Sequence, residues 1–217
     1  IGYLEQRFDS HDVLLLQEVK LAPAKHAKAR DALLALGYAH VAINSIAGAS
    51  GVLIAVRHTL VQPVFTCDMP GCDLVDSRGR VMTMTTCDPP VTVVCAYLPF
   101  CNPLIDDIAP RCSAFRAAFT AYITDLADDS PHRQRSLIIG GDLQVALTNL
   151  DESVSLMPPS PGSTDQERID HATLVSSARL IDSYRFLRPE GSAHTCQSTY
   201  PRWTRGRALA SKRIDYI

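Results

Sequence analysis

No stretch of this sequence reaches the ~18 apolar residues that a membrane-spanning helix needs. No basic segment followed by an apolar one opens the chain. It begins Ile1-Gly2-Tyr3-Leu4-Glu5, without an initiator Met, and reads as cut at its front. No charge of one sign dominates: 21 Lys and Arg stand against 23 Asp and Glu, a formal net charge of -2. That excludes a strongly basic, histone-like mode of nucleic-acid binding and leaves a local basic patch open. There is no C-x-x-C pair. Seven cysteines at scattered positions (67, 72, 87, 95, 101, 112 and 196) argue against a disulfide framework or a zinc cluster. Cys95 lies in an apolar run, where a free thiol acts as a small hydrophobe. The expectation is a reducing, intracellular compartment, the nucleus or mitochondrion in a eukaryote. Internal repeats, low-complexity blocks and interdomain linkers are also missing.

What remains is 217 residues, 46% hydrophobic and 20% charged, the make-up of a globular chain that needs no staple to fold. Val13 to Leu16 is a short apolar run ending in Gln17-Glu18, a buried strand with polar residues at its mouth. Ala24 to Leu36 reads as a helix stopped by Gly37. Tyr38 to Ile43, Gly51 to Val56, Val81 to Thr86 and Val91 to Tyr97 read as strands, the last two joined through Asp88-Pro89-Pro90. Arg111 to Leu126 is a helix with a core stripe of Phe115, Phe119, Tyr122 and Leu126. Leu137 to Ile139 is a strand running into Gly140-Gly141-Asp142. Asp151 to Thr164 is a loop, and Asp165 to about Ala178 a helix. Leu180 to Tyr200 alternates turns and short strands, and Arg213 to Ile217 is a last strand. Interspersed strands and helices with frequent hairpins predict a layered α/β protein with mixed sheets.

Three carboxylates end or lie in apolar strands: Glu18, Asp142 and Asp215. A carboxylate with few water contacts needs a cation or a hydrogen-bond donor. Capping of a loop is the ordinary alternative for each. A basic stretch, Arg202, Arg205, Arg207, Lys212 and Arg213, carries Tyr200 and Trp203 among its charges. That suits phosphate contact and insertion beside an extruded base, with a solvated loop as the alternative.

Leu15-Leu16-Gln17-Glu18-Val19-Lys20 resembles the "LQE-x-K" segment of the endonuclease/exonuclease/phosphatase superfamily, in its exonuclease III type of apurinic/apyrimidinic endonuclease. Ser50-Gly51-Val52 resembles "SGV", Gly79-Arg80-Val81 the "EGRV" segment and Ala96-Tyr97-Leu98-Pro99 the "YxPN" segment. Gly141 to Ala146 resembles "GDLNVA", with Asp151 at the place of a following Asp. Asp165 to Arg168 resembles "PQER", Leu180 to Arg185 "LVDSFR", and Thr199 to Ile217 the "T-x-W … R-x-DY" end segment. The matches follow the family's order over nearly the whole chain.

The resemblance implies a four-layer α/β sandwich over residues 1–217, two mixed sheets packed face to face with helices outside, as one domain incomplete at both ends. It implies a Mg2+-dependent phosphodiesterase (Mn2+ as the alternative ion) acting on duplex DNA with an abasic site, with 3′-end trimming, and no membrane partner. Phosphodiester hydrolysis needs neutralised phosphate charge and an in-line water. A hard cation does the first with one or two carboxylates plus water. By resemblance Glu18 holds the metal, Asp142 primes the water with Gln144 beside it, and Tyr97 touches phosphate. Asp215 orients a His supplied from beyond the chain. Lys20, Arg80, Trp203, Arg205, Arg207 and Arg213 face nucleic acid. The ordinary alternatives are an ion pair to Lys20 for Glu18, a core aromatic for Tyr97 and a structural ion pair for Arg80. Asp182 reads as a capping residue, and His194 as a loop residue.

Three positions depart from the pattern: Gln144 for the Asn of "GDLN", Phe100 for the Asn of "YxPN" and Arg78 for the Glu of "EGR". Gln carries its amide one methylene further, and a shift of about 1 Å can cost roughly a hundredfold in rate. The opening "WNxNG" and closing "SDH" segments would fall outside the chain. A catalytically silent scaffold in a nucleoprotein assembly is therefore the second reading, and an RNA exonuclease or retroelement endonuclease the third.

Overall fold

The computed structural model describes residues 11–60, 62–70, 72, 78–101, 108–128, 135–152, 162–198 and 210–217. The most apolar strand, β3 (Ser50–Arg57), is buried over seven of its eight residues. Such a strand must have a partner on each face. Its even residues, Val52, Ile54 and Val56, pack with Met82, Met84, Val93, Cys95 and Tyr97. Its odd residues, Leu53 and Ala55, pack with Leu14, Leu33, Tyr38 and Ile43. One strand therefore contributes to two cores through the period-2 alternation of its side chains.

On either side of β3 run β1 (Val13–Gln17) and β2 (Tyr38–Ile46), both antiparallel to it. The second sheet holds β4 (Val64–Cys67), β5 (Val81–Cys87), β6 (Pro90–Tyr97) and β7 (Ser136–Asp142), neighbouring in the order β7-β6-β5-β4. Helix α1 (His26–Ala35) follows a 3-10 turn at Pro23–Lys25 and covers the outer face of the first sheet through Leu33. It ends where Gly37, at φ +87°, donates to the Leu34 carbonyl. Two β-sheets with flanking helices make this the mixed α/β fold that the residue pattern predicts.

The chain divides into two compact units, residues 1–97 with 129–141, and residues 98–128 with 142–217. The second contains α2 (Ile108–Asp128), α3 (Asp165–Ser177), α4 (Ser183–Leu187) and the short strands β8 (Cys196–Ser198), β9 (Ala210–Lys212) and β10 (Asp215–Tyr216). Helix α2 packs on α3. Its buried face is Cys112, Phe115, Arg116, Phe119 and Ile123, so the stripe turns away from the predicted Tyr122 and Leu126, which are only partly buried. Helix α3 opens with a capping box, Thr164 and Glu167 each bonding the other's backbone N–H.

Two expectations need correction. Cys101 and Cys112 are joined in a disulfide, with Cα atoms 6.0 Å apart, while Cys67, Cys72, Cys87 and Cys95 are free thiols. A single bridge leaves no sequence spacing to read. The segment after Leu180 also contains a helix, α4, which Asp182 caps by accepting from the Arg185 N–H.

Candidate active-site groups

In the first unit, four separated motifs interlock. Glu18 follows β1 in the left-handed region, φ +56°. A residue with a Cβ is held there at a cost of about 1–2 kcal/mol, so its surroundings must impose the conformation. Gly51 is part of that imposition. Its carbonyl accepts from the Val19 N–H at 3.1 Å, and a Cβ on Gly51 would come within 2.9 Å of Val19 C and 3.0 Å of Lys20 N. The glycine of "SGV" therefore lets the Glu18 loop lie flat on β3. Ser50 Oγ donates to the Arg78 carbonyl at 2.8 Å, which fixes the turn before Arg80. Gly79 N–H donates to Asp68 Oδ1 at 2.7 Å.

The Tyr97 hydroxyl donates to Glu18 Oε1 at 2.8 Å, and Lys20 Nζ to Oε2 at 3.2 Å. The Arg80 guanidinium lies 4.9 Å from the Tyr97 ring centroid and donates to the Tyr97 carbonyl at 3.2 Å. The Tyr97 bond, with help from Lys20 and Arg80, holds the Glu18 carboxyl below its usual range against a smaller effect of burial. Glu18 is thus ionised, aimed and, contrary to the expectation of few water contacts, more than half exposed. Among the described residues no three His, Cys, Asp or Glu side chains gather to cage a metal ion. A hard cation that keeps most of its water needs no cage, and an oriented oxygen donor of this kind fits it.

In the second unit the segment 142–147 leaves β7 and is held by its main chain. Arg116 donates to the Leu143 and Gln144 carbonyls at 3.4 Å each. The Tyr216 hydroxyl donates to the Val145 carbonyl at 2.8 Å, and Arg168 Nε to the Ala146 carbonyl at 3.0 Å. Four consecutive carbonyls are therefore taken by side chains from α2, α3 and β10. Gln144, at φ +56°, turns back on Asp142: its N–H donates to Oδ1 at 3.1 Å and its Nε2 to Oδ2 at 2.5 Å. The extra methylene of Gln is accommodated in this way, and Asp142 is buried with both oxygens engaged.

Asp215 is half-buried. Burial pushes its carboxyl up, only partly offset by a hydrogen bond from Thr195. Arg213, expected at nucleic acid, is instead 2% exposed. Its Nε meets Asp151 Oδ1 at 2.8 Å and its Nη2 meets Asp182 Oδ2 at 2.6 Å, and Arg185 reaches the same Asp151 oxygen at 2.7 Å. Two carboxylates consume the charge, so Arg213 is part of the frame. Trp203, Arg205 and Arg207 lie outside the described residues. Phe100 is half exposed, and Arg78 is exposed.

Arg116, Glu167 and Asp151 are the supports that motif reading missed as such. Arg116 was visible as a cation on an apolar helix stripe. His171, on α3, is buried against Tyr216 with ring centroids 4.9 Å apart. Burial, then the Arg116 charge, pushes its imidazole down to about 4. The folded protein therefore keeps this ring neutral where the unfolded chain protonates it. Above the ordinary value of 6.5 its contribution is complete; as pH falls from there towards 4 it is lost. Wild-type stability should thus fall by about 3 kcal/mol over that window, and His171→Gln should remove most of the slope, as read by urea unfolding at each pH.

Several comparisons place the chain among known proteins. The sequence model described as "Endonuclease/Exonuclease/phosphatase family" matches residues 1–217. Among solved structures the chain is similar to AP endonuclease LMAP from Leishmania major, at 22% identity and TM-score 0.78, covering 99% of this chain and 71% of that one. It is similar to the 3'-5' exonuclease NExo from Neisseria meningitidis, at 24% identity and TM-score 0.79, covering 99% and 79%. It is also similar to an AP endonuclease from Archaeoglobus fulgidus, at 17% identity and TM-score 0.78, covering 99% and 77%. At these identities the likeness is one of fold. No curated protein matches the sequence.

Proposed function

From the premise that the chain belongs to the Endonuclease/Exonuclease/phosphatase family, and so to enzymes that hydrolyse phosphoesters, we propose that it is a Mg2+-dependent phosphodiesterase acting on DNA, incising 5′ to an abasic site with 3′-end trimming. The observation that carries this is the Glu18 carboxylate, ionised, exposed and aimed by the Tyr97 hydroxyl.

Glu18 would hold the metal through its exposed oxygens. Bound there, Mg2+ supplies positive charge to the phosphate and to the leaving 3′ oxygen. Asp142 takes the proton of the attacking water, its carboxylate fixed at both oxygens by Gln144. Tyr97 exchanges its bond to Glu18 for one to a phosphate oxygen. Lys20, exposed beside Glu18, contributes a cation for the DNA backbone. Asp215, half-buried at the start of β10, would orient an imidazole through its ionised carboxylate.

The test is incision of a tetrahydrofuran-containing duplex with Mg2+. The wild type should cut it in preference to single-stranded RNA. Asp142→Asn should lower kcat by about a hundredfold. Mg2+ alone should raise Tm in the wild type and leave Glu18→Ala unmoved. No cleavage at enzyme excess removes the enzyme claim. The scaffold reading, favoured by the apolar ring of Phe100 in place of an amide, predicts that outcome together with no Mg2+ response. Preferential cleavage of the RNA would replace DNA as the substrate.

A further inference from the structure

Asp142 is oriented by Gln144, and Gln144 sits in a backbone conformation that its side chain does not favour. The two peptide groups that define its φ and ψ are those of the Leu143 and Gln144 carbonyls. Arg116 grips both, Nη1 on the first and Nη2 on the second. Rotation about either bond of the Gln144 Cα would break one of these contacts. Arg116 is 4% exposed, its Nη2 lies 3.7 Å from Glu167 Oε1, and its Nε has no partner among the described residues. A buried guanidinium with an unmet donor is costly, and an apolar side chain would fill the same space at less expense. Packing therefore does not account for the cation; the pair of carbonyls and the Glu167 carboxylate do. Glu167 extends the support: its Oε1 accepts from Gly162 N–H at 3.0 Å, and the Gly162 carbonyl accepts from Ala146 N–H at 2.6 Å.

We infer that Arg116 is a positioning residue for the reaction, locking the left-handed turn at Gln144 so that the Asp142 carboxylate keeps its aim, with Glu167 holding the guanidinium in place. The inference rests on the role given to Asp142 above and adds the element that sets its geometry.

The fork of the guanidinium is the feature to test, because lysine keeps the charge beside Glu167 but reaches a single carbonyl. With Arg116→Lys, kcat on the abasic duplex should fall about ten- to hundredfold, through misplacement of Asp142. KM should stay within about twofold, because no substrate contact is removed. Amide hydrogen exchange should speed up at Gln144 while core amides such as that of Ile54 keep their protection. A merely structural role gives the opposite pattern: all amides exchange faster together, Tm falls, and kcat per folded molecule is unchanged. That pattern, or wild-type kcat with wild-type protection at Gln144, overturns the inference. Should Arg116→Lys not fold, Glu167→Gln is read by the same two measurements and the same two outcomes. A wild type inert on abasic DNA defeats the proposed function, while the exchange experiment still decides what Arg116 does to Gln144.

Discussion

Replacing Asp151 by alanine will lower the free energy of unfolding by about 3–5 kcal/mol, the range expected when one member of a buried ion network is removed. Asp151 is fully buried. It accepts from Arg213 and Arg185 on one oxygen and from the Thr148 N–H and hydroxyl, at 2.9 and 2.8 Å, on the other. Alanine leaves the buried Arg213 side chain with Asp182 as its one carboxylate among the described residues. Burial by itself would raise the Asp151 carboxyl, but the bonds from Arg213 and Thr148 and the Arg213 charge outweigh it and hold it below the carboxylate range. The sign of the pH effect follows. The contribution is present above the ordinary Asp value of 3.8 and is lost as pH falls through the lower folded value. Urea unfolding at pH 7 and at pH 3 checks both statements: the gap between wild type and Asp151→Ala should be wide at pH 7 and narrower at pH 3. A variant within about 1 kcal/mol of wild type at pH 7 would mean that the network is worth no more than a surface pair.

Gly141→Ala should cost about 4 kcal/mol or more, enough to abolish folding of a marginally stable chain. A Cβ at Gly141 would sit 1.9 Å from the Ala96 carbonyl oxygen and 2.9 Å from Ala96 C and N. Those are main-chain atoms of the neighbouring strand and have no rotamer through which to retreat. The backbone at Gly141 also lies at φ +153°, where side chains are rarely found. Gly48→Ala serves as the control, because among the described residues nothing lies within 4 Å of its added Cβ and its φ of +72° is what resists, a cost of about 1 kcal/mol. Thermal unfolding of the two variants should separate them widely; equal melting temperatures would show that the approach to Ala96 yields easily.

The strands that the sequence revealed were those with unbroken apolar runs, because burial on two faces needs them. The fourth strand, Val64–Cys67, escaped notice because it is largely exposed and makes no such run. The fourth helix escaped because five residues are too few to establish a period. Glu18 and Tyr97 were legible as motif residues, and their contact could not be, since 79 positions separate them. Arg213 was misread for a general reason. Charge counting along a chain treats every cation as available, and its two partners lie 62 and 31 residues away. The "PQER" and "LVDSFR" segments were recognised as family marks. Their physical content emerges only in three dimensions, where Glu167 and Arg168 brace the turn around Gln144, Asp182 pairs with Arg213, and Arg185 shares the Asp151 carboxylate with it.

The grip on the main chain after Asp142 has a consequence for how this protein can change. Leu143, Val145 and Ala146 bury their side chains, so their identities are tied to the interior. Of residues 143–146 Gln144 alone is not buried, and the oxygens around it are fastened from outside whatever side chain it bears. Position 144 therefore behaves as a tool post: the implement can be exchanged over generations, asparagine for glutamine, while the bench on which it is mounted stays where it was.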